Sequence, residues 1–502
     1  MTPGRNMARE IAELWGSGTP LVYLVTGEEE RAIALCESAA QSFDATLAVW
    51  SPHRGLDPIA PSARDPIALL NAILQAPAPV LAVLLDFHEA LSDPLVARAV
   101  RDAVPRLSAE GRCLVVVAPR LALPEGLAHD AAVVRLPLPL EAELNPVLDR
   151  VVKTLRVPPV IPDAAAAHAA VTAARGLSET QARRAFTRAV RLDAALGALA
   201  VDAILGEKKR ILARDLGLEL VESGEKLQDL GGLDAFKAWM AERALAFQPE
   251  ARRYGLPPPR GVLLVGVQGC GKSLAAKAAA AQLGVPLVRL DLPRVLGAGE
   301  GAEENLARAL EAAEAIAPVA LWVDEIEKGF AGSAPGQGSD ARASRFLGAF
   351  STWLQERKGA VFVVATANDV TRLPPELLRR GRFDELFFVD LPDVEARRAI
   401  VELHLRKRGR DAARYDVGAI AQLCADYSGA ELEQVVVGAL HRAFALKRDL
   451  ETQDLRRVAQ DLVPLFRTYE EQIKALREWA RGRARVAGRE GAIVDLFRRA
   501  GS

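Results

Sequence analysis

The clearest chemistry in the chain lies in Gly266-Val-Gln-Gly-Cys-Gly-Lys-Ser-Leu274. Glycines at 266, 269 and 271 let a backbone wrap closely around an anion, so that successive N–H groups point inward. An apolar run at 261–265 precedes the loop, and an alanine-rich stretch closed by Gly284 follows it. This is the strand–loop–helix setting in which such a loop holds phosphate on a helix N-terminus. Lys272 can reach the outer phosphates of a triphosphate, and the Ser273 hydroxyl can ligate Mg²⁺. The backbone from Gly266 through Val267, Gln268, Gly269, Cys270 and Gly271 to Leu274 completes the cradle.

A second constellation ends the apolar run Val319-Ala-Leu-Trp-Val-Asp-Glu325. A strand of this kind carries both carboxylates out at its C-terminal end, beside the phosphate loop. Asp324 is suited to supporting the metal and Glu325 to orienting and polarising an attacking water. Asn368 follows a third run, at 361–365; its amide could sense the terminal phosphate or simply turn the chain. Leu377-Leu-Arg-Arg-Gly-Arg-Phe-Asp384 holds three arginines, a residue suited to charge developing on a transferred phosphoryl group. Residues alone leave that stretch open as a solvated basic loop.

These residues must be held by an α/β scaffold. Short apolar runs alternate with helical patterns, which predicts parallel sheets covered by helices. Strands are expected at 261–265, 286–290, 319–323, 361–365 and 386–389, with helices only after Val394. The first half repeats the rhythm, with strands expected at 21–25, 46–50, 80–85, 113–117 and 132–136. Gly176-Leu-Ser-Glu-Thr-Gln181 matches Asp426-Tyr-Ser-Gly-Ala-Glu431, and Val134-Arg-Leu-Pro137 matches Val389-Asp-Leu-Pro392, in the same order along each half. The expectation is a duplicated module. Its boundaries are a first module at 1–205, a charged linker at 206–226, an α/β domain at 227–392, a helical lid at 393–487 and a tail at 488–502.

Composition narrows the setting. Half of the 502 residues are hydrophobic and 26 % are charged, the balance of a folded chain. With 64 basic and 65 acidic residues the net charge is -1, so nothing global points to nucleic acid. Arg477, Arg481, Arg483, Arg485 and Arg489 read as a solvated basic face. The four cysteines have no metal-ligand spacing and read as reduced thiols. No leader pattern opens the chain, and no apolar run reaches the roughly 18 residues of a membrane span. The expected setting is bacterial cytoplasm, or plastid stroma in a plastid-bearing source, with no membrane insertion.

Together these motifs resemble the AAA+ ATPases, and within them the clade of remodelling ATPases. The resemblance spans about 227–450. It rests on Asp229-Leu-Gly-Gly-Leu233, both phosphate and acid motifs, Asn368, the arginine stretch, His404 and Ser428-Gly-Ala430. It implies a P-loop α/β fold, a parallel five-stranded sheet with a helical lid, that binds and hydrolyses ATP with Mg²⁺. It implies Asp229, Gly231, Gly232, His404, Gly429 and Ala430 around adenine and ribose, Asn368 as sensor, and Arg379 and Arg382 as fingers acting on a neighbouring subunit's nucleotide. A homo-oligomer follows from the fingers, with a hexameric ring as the expected form, remodelling or regulating a protein partner.

A narrower likeness covers nearly the whole chain. Gln268 and Cys270 within the loop, Leu321-Trp-Val-Asp-Glu-Ile-Glu-Lys328, Pro464-Leu-Phe-Arg-Thr468 and Thr26-Gly-Glu-Glu-Glu-Arg31 resemble the hypothetical chloroplast reading frame forty-six family of plastids, cyanobacteria and other bacteria. The chain also departs from its wider clade. Leu296-Gly-Ala-Gly-Glu300 stands where threading translocases carry an aromatic grip, which favours an alternative reading as an ATP-gated binding module with incidental hydrolysis. A DNA-associated role fits less well. No HExxH motif follows the ATPase, so a fused metalloprotease is not expected. In the first module Thr26-Gly-Glu-Glu-Glu30 replaces the phosphate loop, Asp86 ends the third strand with Phe87 in the place of a catalytic Glu, and Pro119 and Arg120 occupy the sensor region. That degenerate AAA-like module is expected to bind no nucleotide and to serve docking or assembly.

Overall fold

The computed structural model describes residues 3–155, 163–222, 224–297, 301–330, 341–357, 359–379 and 381–489. The chain forms two compact units, Met1–Lys208 and Lys209–Ser502. The expected loop at 331–339, most of the Leu296–Glu300 stretch and the tail beyond 489 lie outside the described residues.

In the first unit β1 (Leu21–Val25), β2 (Thr46–Ser51), β3 (Gly55–Asp57), β4 (Val80–Leu85), β5 (Arg112–Ala118) and β6 (Ala131–Arg135) make one sheet in the order β3-β2-β4-β5-β1-β6. Every pairing is parallel except β2 with β3. β1 and β5 are buried along their whole length because helices cover both faces, which is why they read as unbroken apolar runs. Val22 and Leu24 pack with Ile11, Trp15 and Cys36 on one face, and Leu21 and Tyr23 with Leu69, Ile73 and Leu107 on the other. Helices Glu141–Thr154, Ala164–Ala174 and Glu179–Leu192 follow the sheet.

The second unit holds β7 (Leu218–Val221), β8 (Gly261–Gly266), β9 (Leu287–Leu290), β10 (Val319–Val323), β11 (Val361–Ala367), β12 (Glu385–Val389) and β13 (Arg485–Val486), in the order β13-β12-β8-β11-β10-β9-β7. β8 to β12 are the five expected strands. Leaving out the edge additions, both sheets share one order, with the first parallel strand between the fourth and the fifth. Two expectations change. The stretch 206–226 is not an open linker: helix Ala198–Leu216 runs through its start, and β7 pairs antiparallel with β9. One of its charges belongs to that pairing: Arg289 donates to Glu219 Oε2 at 2.6 Å. The region after 394 is not helical only, because β13 adds to β12 through two residue pairs.

Helix Lys272–Leu283 lies on the sheet through Ala275, Ala276, Ala278, Ala279 and Ala280, all buried. Beyond β12 the lid helices Val394–Lys407, Val417–Leu423, Gly429–Ala445 and Thr452–Asp461 enclose a separate core around Val401, Ile420, Leu432 and Leu455. Among the described residues no helix is long and apolar enough to cross a membrane.

Phe387 on β12 is fully buried and meets Phe236 and Trp239 edge-on, each at 5.6 Å between ring centroids. Phe387→Ala is expected to lower the stability of the second unit by about 3–5 kcal/mol through the cavity it leaves. Urea denaturation of the full chain with tryptophan fluorescence measures this.

Candidate functional site

The parallel order brings the C-terminal ends of β8, β10 and β11 together, and the candidate residues sit there. Gly269 (φ +78°) and Gly271 (φ +92°) adopt backbone that only glycine takes without strain. A Cβ on Gly271 would meet nothing within 4 Å, so the loop is open on that side; one on Gly266 would lie 2.0 Å from Val389 O, so the loop's base is closed against β12. Lys272 is buried, and its Nζ donates to Gly266 O at 2.7 Å and Val267 O at 2.8 Å. Burial pushes this ammonium down to about 8, against the pull of Cys270, Glu327, Asp324 and Glu325. An ammonium set in an open glycine loop and held by carbonyls alone fits an anionic ligand.

The acid pair is built by β10 and β11 jointly. Thr366 on β11 is buried; its hydroxyl donates to Asp324 Oδ1 at 2.6 Å and accepts from the Glu325 N–H at 3.0 Å. Glu325 takes φ +48°, an uncommon left-handed conformation for a non-glycine residue. Its Oε1 accepts from Asn368 Nδ2 at 2.9 Å, and Lys328 pairs with the other oxygen. Buried Glu327 accepts from the Asn368 N–H at 2.9 Å, and desolvation pushes its carboxyl up. Thr366 was missed in the sequence, and Glu327 and Lys328 stood there only within the run Leu321–Lys328, with no role of their own. Thr366 lies two residues before Asn368, on the same face of its strand, and that period was the available signal.

The donor set also fits magnesium. Among the described residues no group of three or more His, Cys, Asp and Glu side chains could hold a metal by itself. One hydroxyl, Ser273, and one carboxylate, Asp324, beside a phosphate cradle are the hard oxygen donors from which Mg²⁺ is held together with substrate phosphates.

A cavity of about 1130 Å³ adjoins the loop. Gly231, Gly232, Cys270 and Gly429 line it; Asp229, His404 and Ala430 do not, and neither do Lys272, Ser273, Asp324, Glu325 and Asn368. Gly231 packs so tightly on the lid that a Cβ there would lie 2.2 Å from Ile400 Cγ1. The Ala430 N–H donates to Gly269 O at 3.0 Å, joining lid to loop. His404 sits beside Arg408 and Glu433, and burial holds its imidazole below the usual range. Burial pushes the Cys270 thiol up to about 12. Exposed Arg379 and half-buried Arg382, in the loop before β12, do not line the cavity.

The first unit lacks this arrangement. Its β1–helix connection is only Thr26-Gly27-Glu28, and buried Arg31 bonds Glu28 Oε2 at 3.0 Å. Glu28 also accepts from the Glu179 N–H at 2.5 Å, and burial pushes its carboxyl up. The register corrects one expectation. Leu85 pairs with Val117, and Asp86 follows in the left-handed region at φ +54°. Asp86, not Phe87, is therefore the counterpart of Glu325, and Leu85 stands where the second unit has Asp324.

This strand order, with a lysine-tipped glycine loop after its first strand and an acid pair after its third, defines an AAA-type P-loop ATPase. The model of the AAA family, the ATPase family associated with various cellular activities, matches residues 262–391; SpoVK-like AAA ATPase models match 7–136 (N-terminal domain) and 142–215 (second domain). The chain belongs to the ycf46 family of AAA domain-containing proteins. It is 36 % identical to the ycf46 protein of Guillardia theta, over 93 % of this chain and 94 % of that one. The ycf46 protein of Pyropia yezoensis is 33 % identical, over 96 % of this chain and 99 % of that one. A proteasome-activating nucleotidase of Thermococcus gammatolerans is 33 % identical, over 48 % of this chain and 62 % of that one. The chain is a nucleotide-binding ATPase.

Two outcomes follow from the geometry. Protonated Lys272 binds phosphate and the neutral amine does not, so nucleotide affinity should be full below pH about 8 and fall as pH rises through it. Fluorescent-nucleotide titrations across pH check this. Thr366→Val orphans the Glu325 N–H and frees Asp324, and should lower kcat about tenfold with little change in KM, read by steady-state phosphate release.

Proposed function

We propose that the second unit hydrolyses Mg·ATP within a homo-oligomeric ring, a hexamer, and couples hydrolysis to remodelling or regulating a protein partner. The convergence of Lys272, Asp324, Glu325, Thr366 and Asn368 at one end of one sheet carries this reading. Residues 1–205 would serve docking or assembly without nucleotide, in the bacterial cytoplasm or plastid stroma.

Ser273 and Asp324 would hold magnesium, which when bound neutralises phosphate charge and fixes the triphosphate. Lys272 exchanges its two carbonyl partners for phosphate oxygens. Asn368 holds Glu325 in place, and Glu325 orients the water and takes its proton as the water oxygen bonds to the γ-phosphorus. The bond to the bridging oxygen breaks and ADP leaves. Arg379, exposed in the loop before β12, and Arg382 would stabilise that charge on a neighbour's nucleotide.

Turnover measured against protein concentration tests the assignment. Glu325→Gln should bind ATP and lose roughly 10²–10⁴ in kcat. Arg382→Ala should lose about 10³ or more while binding persists. Undiminished turnover in Glu325→Gln removes its role as base, and full wild-type activity at monomeric dilution removes the fingers in trans.

A further inference from the structure

Arg481, Arg483, Arg485 and Arg489 are exposed, as the composition of the basic run near the C-terminus implies, but its first member is not. Arg477, on helix Glu470–Ala480, is buried, and its Nε donates to Asp390 Oδ2 at 2.9 Å and Oδ1 at 3.0 Å. Asp390 directly follows β12. The residue before it, Val389, accepts the Val267 N–H at 3.0 Å, and Gly266 abuts the same carbonyl. The pair therefore fixes the strand end on which the phosphate loop rests.

The same segment reaches two other walls of the cavity. At its start the Leu465 N–H donates to Glu431 Oε1 at 2.6 Å. The other oxygen of Glu431 accepts from Ser428 N and Oγ, both at 2.7 Å, and so holds the lid turn that donates to Gly269 O. At its end β13 extends the sheet, Ala487 N donates to Phe388 O at 2.9 Å, and Phe236 N donates to Ala487 O at 3.2 Å. Phe236 lies on the helix Asp234–Leu245 that begins just after the Gly231–Gly232 turn. Arg477 and Val486 line the cavity together with Gly231, Cys270 and Gly429. One stretch of about 25 residues thus ties phosphate-loop base, glycine turn and lid turn together, and closes the far side of the pocket.

We propose that residues 465–489 are a clasp on the nucleotide pocket, and that Arg477 is a positioning residue for nucleotide binding through its ion pair with Asp390. The affinity part of this proposal rests on reading the cavity as the nucleotide pocket. The physical reason is that the pair is what ties the strand end to helix Glu470–Ala480: without Arg477, the Asp390 carboxylate keeps only the Leu391 N–H and the water of the cavity it lines. A strand end freed from that tie can shift, and the base of the loop with it, because Val389 O holds Val267 N. The clasp therefore tunes how tightly nucleotide is held rather than the bond-breaking step, whose groups lie on β10 and β11.

The test uses the full chain with Arg477→Met, Arg477→Lys and Asp390→Asn. Without nucleotide, amide hydrogen exchange should quicken at 267–273 and 428–432 in Arg477→Met and Asp390→Asn, and less in Arg477→Lys. A fluorescent ADP analogue should bind about tenfold more weakly to Arg477→Met, with KM for ATP rising by more than kcat falls. If Arg477→Met does not fold, the other two variants carry the same expectations at smaller size. Unchanged exchange at both segments in the folded variants overturns the clasp. Faster exchange with unchanged nucleotide affinity overturns the positioning role. Wild-type protein that bound no adenine nucleotide would instead overturn the pocket's assignment and the affinity role with it, leaving the exchange result to decide the clasp.

Discussion

A buried ammonium held only by two backbone carbonyls is the constraint on which the second unit turns. Taking Lys272 out of water is costly unless strong partners replace its hydration, and carbonyl oxygens return only part of it. The loop can hold the cation there because its glycines close its base against β12 and open its mouth on the other side. The acids at the end of β10 bias the site toward positive charge but do not touch the lysine. Its missing partner is an anion delivered from solution. The parallel order of β8, β11 and β10 is what brings the waiting cation and the waiting carboxylates to one place.

Much of this was legible in the residues. The five parallel strands stood out because a strand buried on both faces must be almost wholly apolar, as β8 and β10 are and as β11 is apart from Thr366. The phosphate loop and the acid pair stood out because their residue types have few other uses in that order. What stayed hidden was short or tertiary. β13 has two residues and β3 three, too few for any period to register. The one charge of β7, Glu219, is satisfied by its partner strand. Thr366 looked like one more β-branched residue in a strand, since its work lies entirely in which carboxylate it faces. Arg477 looked solvated because its partner, Asp390, is 87 positions away in sequence. Phe87 was read as the counterpart of Glu325 because a strand end cannot be counted without its neighbour.

The two units give the same topology opposite electrostatics at the same corner. In the second, a lysine waits under an open loop. In the first, the loop is shortened, and Glu28 supplies a carboxylate that Arg31 and the N-terminus of helix Glu179–Leu192 already hold. Arg31 also donates to Pro137 O at 2.6 Å, so the pair stitches strand end, loop and helical segment together within that unit. The anion in this corner is covalently part of the chain, and its concentration never changes.

The alanine face of helix Lys272–Leu283 has a consequence for which sequences can occupy this fold. Five buried methyl groups set the spacing between helix and sheet, and nearly every replacement is larger. A core of leucines can trade volume among neighbours, whereas a core of alanines has almost none to give up. An added methylene there is relieved by lifting the helix, and the first residue of that helix is Lys272. The smallest side chains in the unit therefore act as a ruler for its most exacting charge, and drift at those positions is filtered by chemistry about one to two turns away rather than by packing alone.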